Sequence, residues 1–447
     1  MTFSAASLRA VLEAHTPQAA TGLVVAVSGG ADSASLLTAL VAPELGAYRG
    51  LPLRALHIDH GLQPAAGSFR TVCGELCRRL NVPLEVIAVT VECGAGESIE
   101  AAARDARYAG IARQLAPGEC VLTAHHAADQ AETVLLQLLR GAGLKGLSAM
   151  PFCRPLGAGW HLRPLLGVAQ SDLRRFGAAA GVVTAIDPMN LDPRFDRVYL
   201  RQHLWPLLEE RWPGAAVALS RSARHAAEAQ ELLDGAASRT VRALRDGEAL
   251  SVTGLRALAP GERVNAVRHW IAAREVTPPS TARLAEALRQ MIHAHADHVP
   301  EVAWGEHALR RYRDRLFLTA ARPPRIASLR EWHVAADSVF ALGEGLGLLT
   351  WTPQTGGLDR ARLPPTLRVR RRRGGETLRP QRRARTQSVQ HLCQSLGVLP
   401  WMRDALPLLY AGDQLIAVGD VWQDARWCVA DGALGAGCVW QDSPQLT

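Results

Sequence analysis

Six consecutive residues, Ser28-Gly29-Gly30-Ala31-Asp32-Ser33, hold two glycines, two hydroxyls and a carboxylate. They lie between an apolar, β-favouring run at 24–27 and a helix-forming stretch that ends at Leu40. Gly29 and Gly30 lack a β-carbon, so the backbone there can take φ > 0 and come close to a ligand. The unpaired N–H groups of such a turn, and of the helix it opens, converge where the helix dipole favours an anion. Ser28 and Ser33 add donors, and Asp32 offers a carboxylate to Mg²⁺ beside phosphate oxygens. The chemistry within reach is the holding of a polyphosphate; an ordinary strand-to-helix connection would leave the pattern unexplained. Rival phosphate motifs fail on inspection. No GxxxxGK[ST] occurs, the single lysine is Lys145, and the GxGxxG string at 141–146 follows a helical pattern instead of a strand.

Three further groups have chemical side chains at close spacing. The first is His57-Ile58-Asp59-His60-Gly61-Leu62. The second runs from Thr123 through His125, His126, Asp129 and Glu132 to Thr133. If a helix begins near Asp129, Asp129 and Glu132 share one face at its N-terminal end. Helix capping accounts for that pair but leaves the two histidines before it unexplained. The third, residues 100–108 with Glu100, Arg104, Arg107 and Tyr108, taken alone reads as a solvated helix face.

The elements that must position these groups alternate over residues 1 to about 190. Strands are expected at 24–27, 53–58, 84–89, 120–123 and 182–186, with helices at 68–80, 97–115, 129–139 and 171–180. Strands that are nearly continuous apolar runs between helices imply a parallel sheet buried on both faces. Ligands then lie beyond the C-terminal ends of the strands, where the chemical groups fall.

At 447 residues the chain predicts two to four domains. No run approaches the roughly 18 apolar residues of a membrane span. The first fifteen residues form an amphipathic helix capped by Ser4 or Ser7, unlike a signal peptide. Eight cysteines are scattered without a CxxC pair, so a reducing cytoplasm is the default. Net charge is +8, and every basic residue but Lys145 is arginine. Ten arginines crowd into 362–385 against one acid, Glu376. A solvated face is the bland reading of that run, but a folded apolar pattern follows it, which favours RNA backbone binding by arginines held on structure. His293, His295, Asp297 and His298 suit a polar loop better than a metal site, because no second ligand group accompanies them.

SGGxDS after a first strand resembles the signature of the PP-loop ATP pyrophosphatases. The ordered set resembles the tRNA(Ile)-lysidine synthetase family: SGGADS at 28–33, HIDHGL at 57–62, EAAARDARY at 100–108, AHHAADQAET at 124–133, RPLL at 163–166 and DPMN at 187–190. The likeness continues through 304–318 and 372–422, so it covers most of the chain in order. Departures are Ala128 where a first acid is usual, Gln63 where arginine is common, Met189 where serine is usual, and Val389-Gln390 in place of a Leu-Lys pair.

The resemblance implies an α/β architecture. It consists of an N-terminal parallel-sheet PP-loop domain of adenine nucleotide alpha hydrolase type (1–215), a helical central substrate-binding domain (216–322), a linker with strands (323–364) and a small α+β tRNA-binding domain (365–447). It implies ATP on Ser28, Gly29, Gly30, Ala31, Asp32 and Ser33, with Mg²⁺ on Asp32. Catalysis falls to Asp32, His125, Asp129 and Glu132, and free L-lysine to Arg104, Asp129 and Glu132. tRNA(Ile) with a CAU anticodon falls to Arg370, Arg371, Arg372, Arg373, Arg382 and Arg383. His125 or a nearby carboxylate is the expected base for the lysine amine. No membrane partner is expected, and a homodimer is open. A PP-loop tRNA thiolase would share the nucleotide site but would need paired cysteines; an RNA-binding protein with a vestigial nucleotide fold would not need SGGADS intact.

Overall fold

The computed structural model describes residues 3–46, 48–59, 66–91, 99–182, 196–295, 298–326, 329–334, 338–380 and 385–447. Of the strand expected at 182–186 only Val182 is described, outside any strand; its remainder, residues 60–62, the DPMN segment, Asp297, Arg382 and Arg383 lie outside the described residues, as does the side chain of Glu100. The chain divides into two compact units, 1–233 and 234–447. Among the described residues no helix is long and apolar enough to cross a membrane.

The first unit alternates as its hydrophobic pattern predicts. Helix α1 (Ala5–His15) precedes β1 (Gly22–Ala26), α2 (Ala31–Leu40), β2 (Leu53–Asp59), α3 (Ala66–Arg79), β3 (Leu84–Ala88), α4 (Ile99–Gln114), β4 (Glu119–Leu122) and α5 (Ala127–Leu139). Then come α6 (Leu144–Leu147), the strands β5 (Cys153–Leu156) and β6 (Gly159–Leu162), and α7 (Gln170–Ala179). The sheet order is β3-β2-β1-β4-β6-β5, parallel except for β5. The chain builds outward from β1 to β3 and then crosses to β4 on the other side of β1. The topological switch point therefore lies between β1 and β4.

The β5–β6 hairpin has no counterpart in the sequence reading. Each strand is four residues long, and Arg154, Pro155, Trp160 and His161 give neither an apolar run nor an alternation. Its place is fixed by backbone proximity: a Cβ on Gly159 would lie 2.0 Å from the Glu119 carbonyl oxygen.

After α8 (Asp196–Tyr199) the helix widens into a π-turn, Leu200–Leu204, before α9 (Trp205–Arg211). Pro206 sits in the first turn of α9. It has no N–H for the Gln202 carbonyl and its ring crowds that oxygen, so the helix relaxes outward one turn earlier. Arg201 lies on this wide turn.

Helix α10 (Ala215–Leu244) is continuous, and the boundary between the units falls within it. In the second unit, β7 (Arg245–Asp246), β8 (Ala249–Ser251), β9 (Glu301–Trp304), β10 (His307–Tyr312) and β11 (Arg315–Ala320) form an antiparallel sheet. It packs with α11 (Val252–Ala257), α12 (Pro260–Ala272) and α13 (Thr281–His293) around Trp270, Leu288 and Leu309. The central region thus adds an antiparallel sheet to its expected helices. Segment 323–364, expected as a linker with strands, supplies β12 (Arg330–Trp332), β13 (Val339–Gly343) and β14 (Gly347–Thr355). Their Trp332, Phe340 and Leu349 share one core with Leu408, Ile416 and Trp440 from the C-terminal region. That region adds β15 (Leu367–Arg370), β16 (Thr377–Leu378), β17 (Gln387–Ser388), α14 (Val389–Leu396), β18 (Leu408–Ala411), β19 (Gln414–Val418), β20 (Trp422–Gln423) and β21 (Leu434–Gln441). β14 pairs with β21 along eight residues.

Candidate active site

A cavity of about 390 Å³ opens beyond the C-terminal ends of β1, β2 and β4, at the switch point. The turn after β1 forms one wall. Gly29 has φ +82°, and a Cβ there would stand 3.0 Å from the Phe69 ring, so this position requires glycine. The Ser28 amide donates to Ser33 Oγ at 3.1 Å, the two hydroxyls lie 3.2 Å apart, and Ser33 Oγ donates to the Gly30 carbonyl at 3.1 Å. This mesh holds the turn open. Gly30 caps α2 without a side chain, which leaves the helix N-terminus to an incoming anion.

Asp32, in the first turn of α2, faces two partners through Oδ2: His126 Nε2 and Gln170 Nε2, each at 3.5 Å. Its Oδ1 is buried with no hydrogen-bond partner. A buried carboxylate oxygen without a donor suits a cation. The residues fit Mg²⁺, which takes one or two protein carboxylates and completes its shell with phosphate oxygens and water.

The second wall is the start of α5. The His126 amide donates to Asp129 Oδ2 at 3.0 Å, and His126 Nε2 lies 3.5 Å from the same oxygen. Burial works to lower the His126 pKa, but the Asp32 and Asp129 carboxylates raise it above its ordinary value. Asp129 is held below its ordinary value: burial opposes ionisation, and the two histidines, the His126 amide and Arg201 overcome it. Glu132, 2% exposed, lies outside the cavity lining and is gripped from the π-turn. Arg201 reaches it through Nε at 2.5 Å and Nη2 at 3.0 Å, and Asp129 Oδ1 through Nη2 at 2.8 Å. Burial lifts the Glu132 pKa in spite of that guanidinium. The two carboxylates expected to meet a free ammonium thus already hold an internal cation, and Arg201 itself lines the cavity.

The structure brings together Ser28, Gly30, Asp32, Ser33, His125 and Asp129 around this cavity. Arg104 does not line it; its guanidinium lies 5.4 Å from the centre of the Tyr108 ring, which does. His57 is 5% exposed and its Nδ1 donates to the Val27 carbonyl at 2.9 Å, tying β2 to the turn. The expected tRNA contacts lie in the second unit. Arg370 is largely occupied there, with its guanidinium 4.2 Å from the Tyr410 ring centre and 3.1 Å from Glu376. Glu376 also accepts from the amides of Arg373 and Gly374, which folds the start of the arginine run into a turn. Sequence reasoning missed Arg201, Gln170 and His161 as site residues. The local signal for Arg201 was Pro206, which widens its helix; for Gln170 none existed, since Asp32 is remote in sequence, and for His161 the link to the site runs through Thr123, 38 residues away, which its neighbours Arg154 and Arg163 do not reveal.

Comparison with known proteins matches three family models: a PP-loop domain at 4–208, a TilS substrate binding domain at 250–317 and a TilS substrate C-terminal domain at 367–440. The chain is 40% identical over 416 residues to a tRNA(Ile)-lysidine synthase of Alkalilimnicola ehrlichii, covering 92% of each. It is 37% identical to that of Coxiella burnetii, covering 93% of this chain and 91% of the relative. It is 39% identical to that of Pseudomonas aeruginosa, covering 92% of both. Among solved structures, the U34-tRNA thiolase NcsA from Methanococcus maripaludis aligns with TM-score 0.39 and 12% identity, over 49% of this chain and 76% of that one.

Proposed function

The chain belongs to the tRNA(Ile)-lysidine synthase family, and from that premise we propose that it uses ATP to join free L-lysine to C2 of the wobble cytidine of tRNA(Ile) with a CAU anticodon. The cytidine O2 attacks the α-phosphorus of ATP, the bond to the bridging oxygen breaks, and diphosphate leaves with the electron pair. The lysine Nζ then attacks C2 of the adenylated tRNA, AMP leaves with the oxygen, and the amine loses a proton. The product, lysidine, changes the codon read from Met to Ile and the amino acid carried likewise.

The observation that carries this reading is the convergence, at one switch-point cavity, of an uncapped glycine turn, the orphaned Asp32 Oδ1 and the acidic start of α5. Residues 28–33 would bind the phosphates, and their fixed N–H groups would stabilise charge as it moves to diphosphate. Asp32 would hold Mg²⁺, which supplies neutralisation of phosphate charge when bound. Asp129 is the cavity carboxylate that would meet the lysine ammonium, with Glu132 behind it, and Arg104, outside the lining beside Tyr108, would have to turn into the cavity to meet the lysine carboxylate. The arginines at 370–373 and 382–383 would hold tRNA phosphates. Among the described residues no cysteine lines the cavity, and burial pushes the Cys73 thiol up to about 12, which favours ligation over thiolation. The test is to incubate protein, ATP, Mg²⁺ and total tRNA with and without L-lysine. Lysidine should appear in the nucleoside mass spectrum only with lysine; a thio-nucleoside, or no modified cytidine, would overturn the reading.

A further inference from the structure

A chain of buried polar groups runs behind His125. Thr123 Oγ1 lies 2.7 Å from His125 Nδ1 and 2.8 Å from His161 Nε2. On the far side, His161 Nδ1 faces Arg163 Nη2 at 3.2 Å and Arg154 Nε at 3.4 Å. The sheet builds this arrangement: β4 pairs with β6, placing His161 opposite Val121, and the Thr123 amide bonds the Leu162 carbonyl. His161 is fully buried, and Arg163 is 2% exposed.

Donor and acceptor roles follow from one end. Guanidinium groups only donate, so His161 Nδ1 must accept. A neutral imidazole has one proton, which then sits on Nε2 and is donated to Thr123 Oγ1. The hydroxyl has one proton of its own, and among the described residues its remaining partner is His125 Nδ1. Leaving that proton unpaired in a buried site would cost more than donating it. His125 Nδ1 therefore accepts, and the ring proton sits on Nε2. His125 lines the cavity, and among the described residues no group pairs with its Nε2.

We propose that Arg163, His161 and Thr123 are positioning residues that fix His125 as an Nε2–H hydrogen-bond donor to a phosphoryl oxygen in the cavity, not as a base. This refines the proposed ligase reading, and the expectation that His125 deprotonates the lysine amine gives way to it. A donor fixed in advance, away from bulk water, stabilises charge growing on a phosphate oxygen without reorganising. The charge environment agrees. Burial drives the His161 pKa down to about 2, aided by the Arg163 charge, and burial with Arg163 and Arg104 holds His125 below its ordinary value against Asp129. Both rings are thus neutral at pH 7.

Glutamine places an N–H close to imidazole Nε2 but cannot take up a proton. In the full-length protein, His125→Gln should retain AMP formation within about tenfold of wild type, while His125→Ala should lose about a hundredfold to a thousandfold, the usual effect of removing one preorganised donor. Thr123→Val should lose kcat with little change in the KM for tRNA, and Thr123→Ser should restore it. His125→Gln as inactive as His125→Ala would overturn the proposal, as would Thr123→Val with wild-type kcat. A second measurement needs no turnover: ¹⁵N-histidine spectra at pH 7, assigned by loss of signal in the Gln variants, should show His125 and His161 as neutral Nε2–H tautomers. An Nδ1–H tautomer or an imidazolium at either position refutes the relay. If the spectra agree but no lysidine forms, the relay stands and the family-level reaction fails, so the two are separable.

Discussion

Arg201 changes what Asp129 and Glu132 can be asked to do. Both carboxylates already hold its guanidinium, and only Asp129 lines the cavity. Asp129→Asn should therefore raise the lysine requirement about tenfold to a hundredfold, the loss of one charge-assisted bond. Glu132→Gln should act first on the fold, costing about 1.5–3 kcal/mol, because it weakens a largely buried ion pair. Lysine titration at saturating ATP and tRNA, beside a melting curve for each variant, separates the two. A melting loss for Asp129→Asn with no shift in lysine requirement would make that residue a helix cap. In the turn after β1, Asp32→Ala and Ser28→Ala should each cut AMP release by about a hundredfold or more while leaving tRNA retention on filters nearly intact. Equal loss of tRNA binding in both would contradict that division of labour.

Helices α2 and α7 approach so closely that a Cβ on Gly177 would lie 2.3 Å from Ser35 Oγ. Gly177→Ala should cost about 1–3 kcal/mol by overpacking and displace Gln170, the Asp32 partner at the start of α7. Adding Ser35→Ala should recover most of that stability, since the Ser35 hydroxyl is buried without a partner. Urea midpoints at unchanged m decide it; a double variant no more stable than Gly177→Ala would mean the contact is not what separates the helices. This contact also marks where the sequence stopped being readable. The turn after β1 was legible because glycine, hydroxyl and carboxylate act within six residues, and the parallel strands because apolar runs report burial directly. Gln170 reaches Asp32 across 138 residues, and Arg201 reaches Glu132 across 69, so no local pattern names either partner, and Pro206 marks only the widened turn that carries Arg201. β5 and β6 were hidden for another reason: the pairing of β6 with β4 rests on backbone approach at Gly159, and β5 pairs only with β6, which leaves no hydrophobic period.

On the scale of the molecule, β14 and β21 pair across the segment expected to be a linker, so truncation before Pro364 would strip a sheet of its partner and expose Trp332 and Trp351. Substitution is the cleaner probe of RNA binding. Alanine at Arg371, Arg372 and Arg373 together should make the log–log salt dependence of tRNA binding shallower by about 2–3. An unchanged slope would reduce these arginines to a solvated face. The same core sets acid stability. Asp424 is fully buried and held below the ordinary carboxylate range: burial opposes it, while Arg426 and the amides of Arg426 and Arg379 overcome it. A lowered folded-state pKa means its stabilisation is present above about pH 4 and is lost as pH falls through the folded value. Asp424→Asn should lower stability at pH 7 by about 1.5–3 kcal/mol and flatten the loss of tryptophan signal below pH 4; an unaltered acid profile would refute it.

The basic composition carries a practical corollary. Lys145 is exposed on α6, just beyond the end of α5, and it is the only side-chain amine in a chain whose other cations are arginine. Guanidinium groups stay protonated and do not acylate where an amine does. An activated-ester dye will therefore mark one side chain, placing a reporter near the far end of the helix whose opening turn carries Asp129. With an α-amine as the one competing nucleophile of its kind, conjugation that usually demands an engineered handle comes down to a choice of pH, the α-amine reacting at lower pH and Lys145 joining it as pH rises toward the lysine pKa.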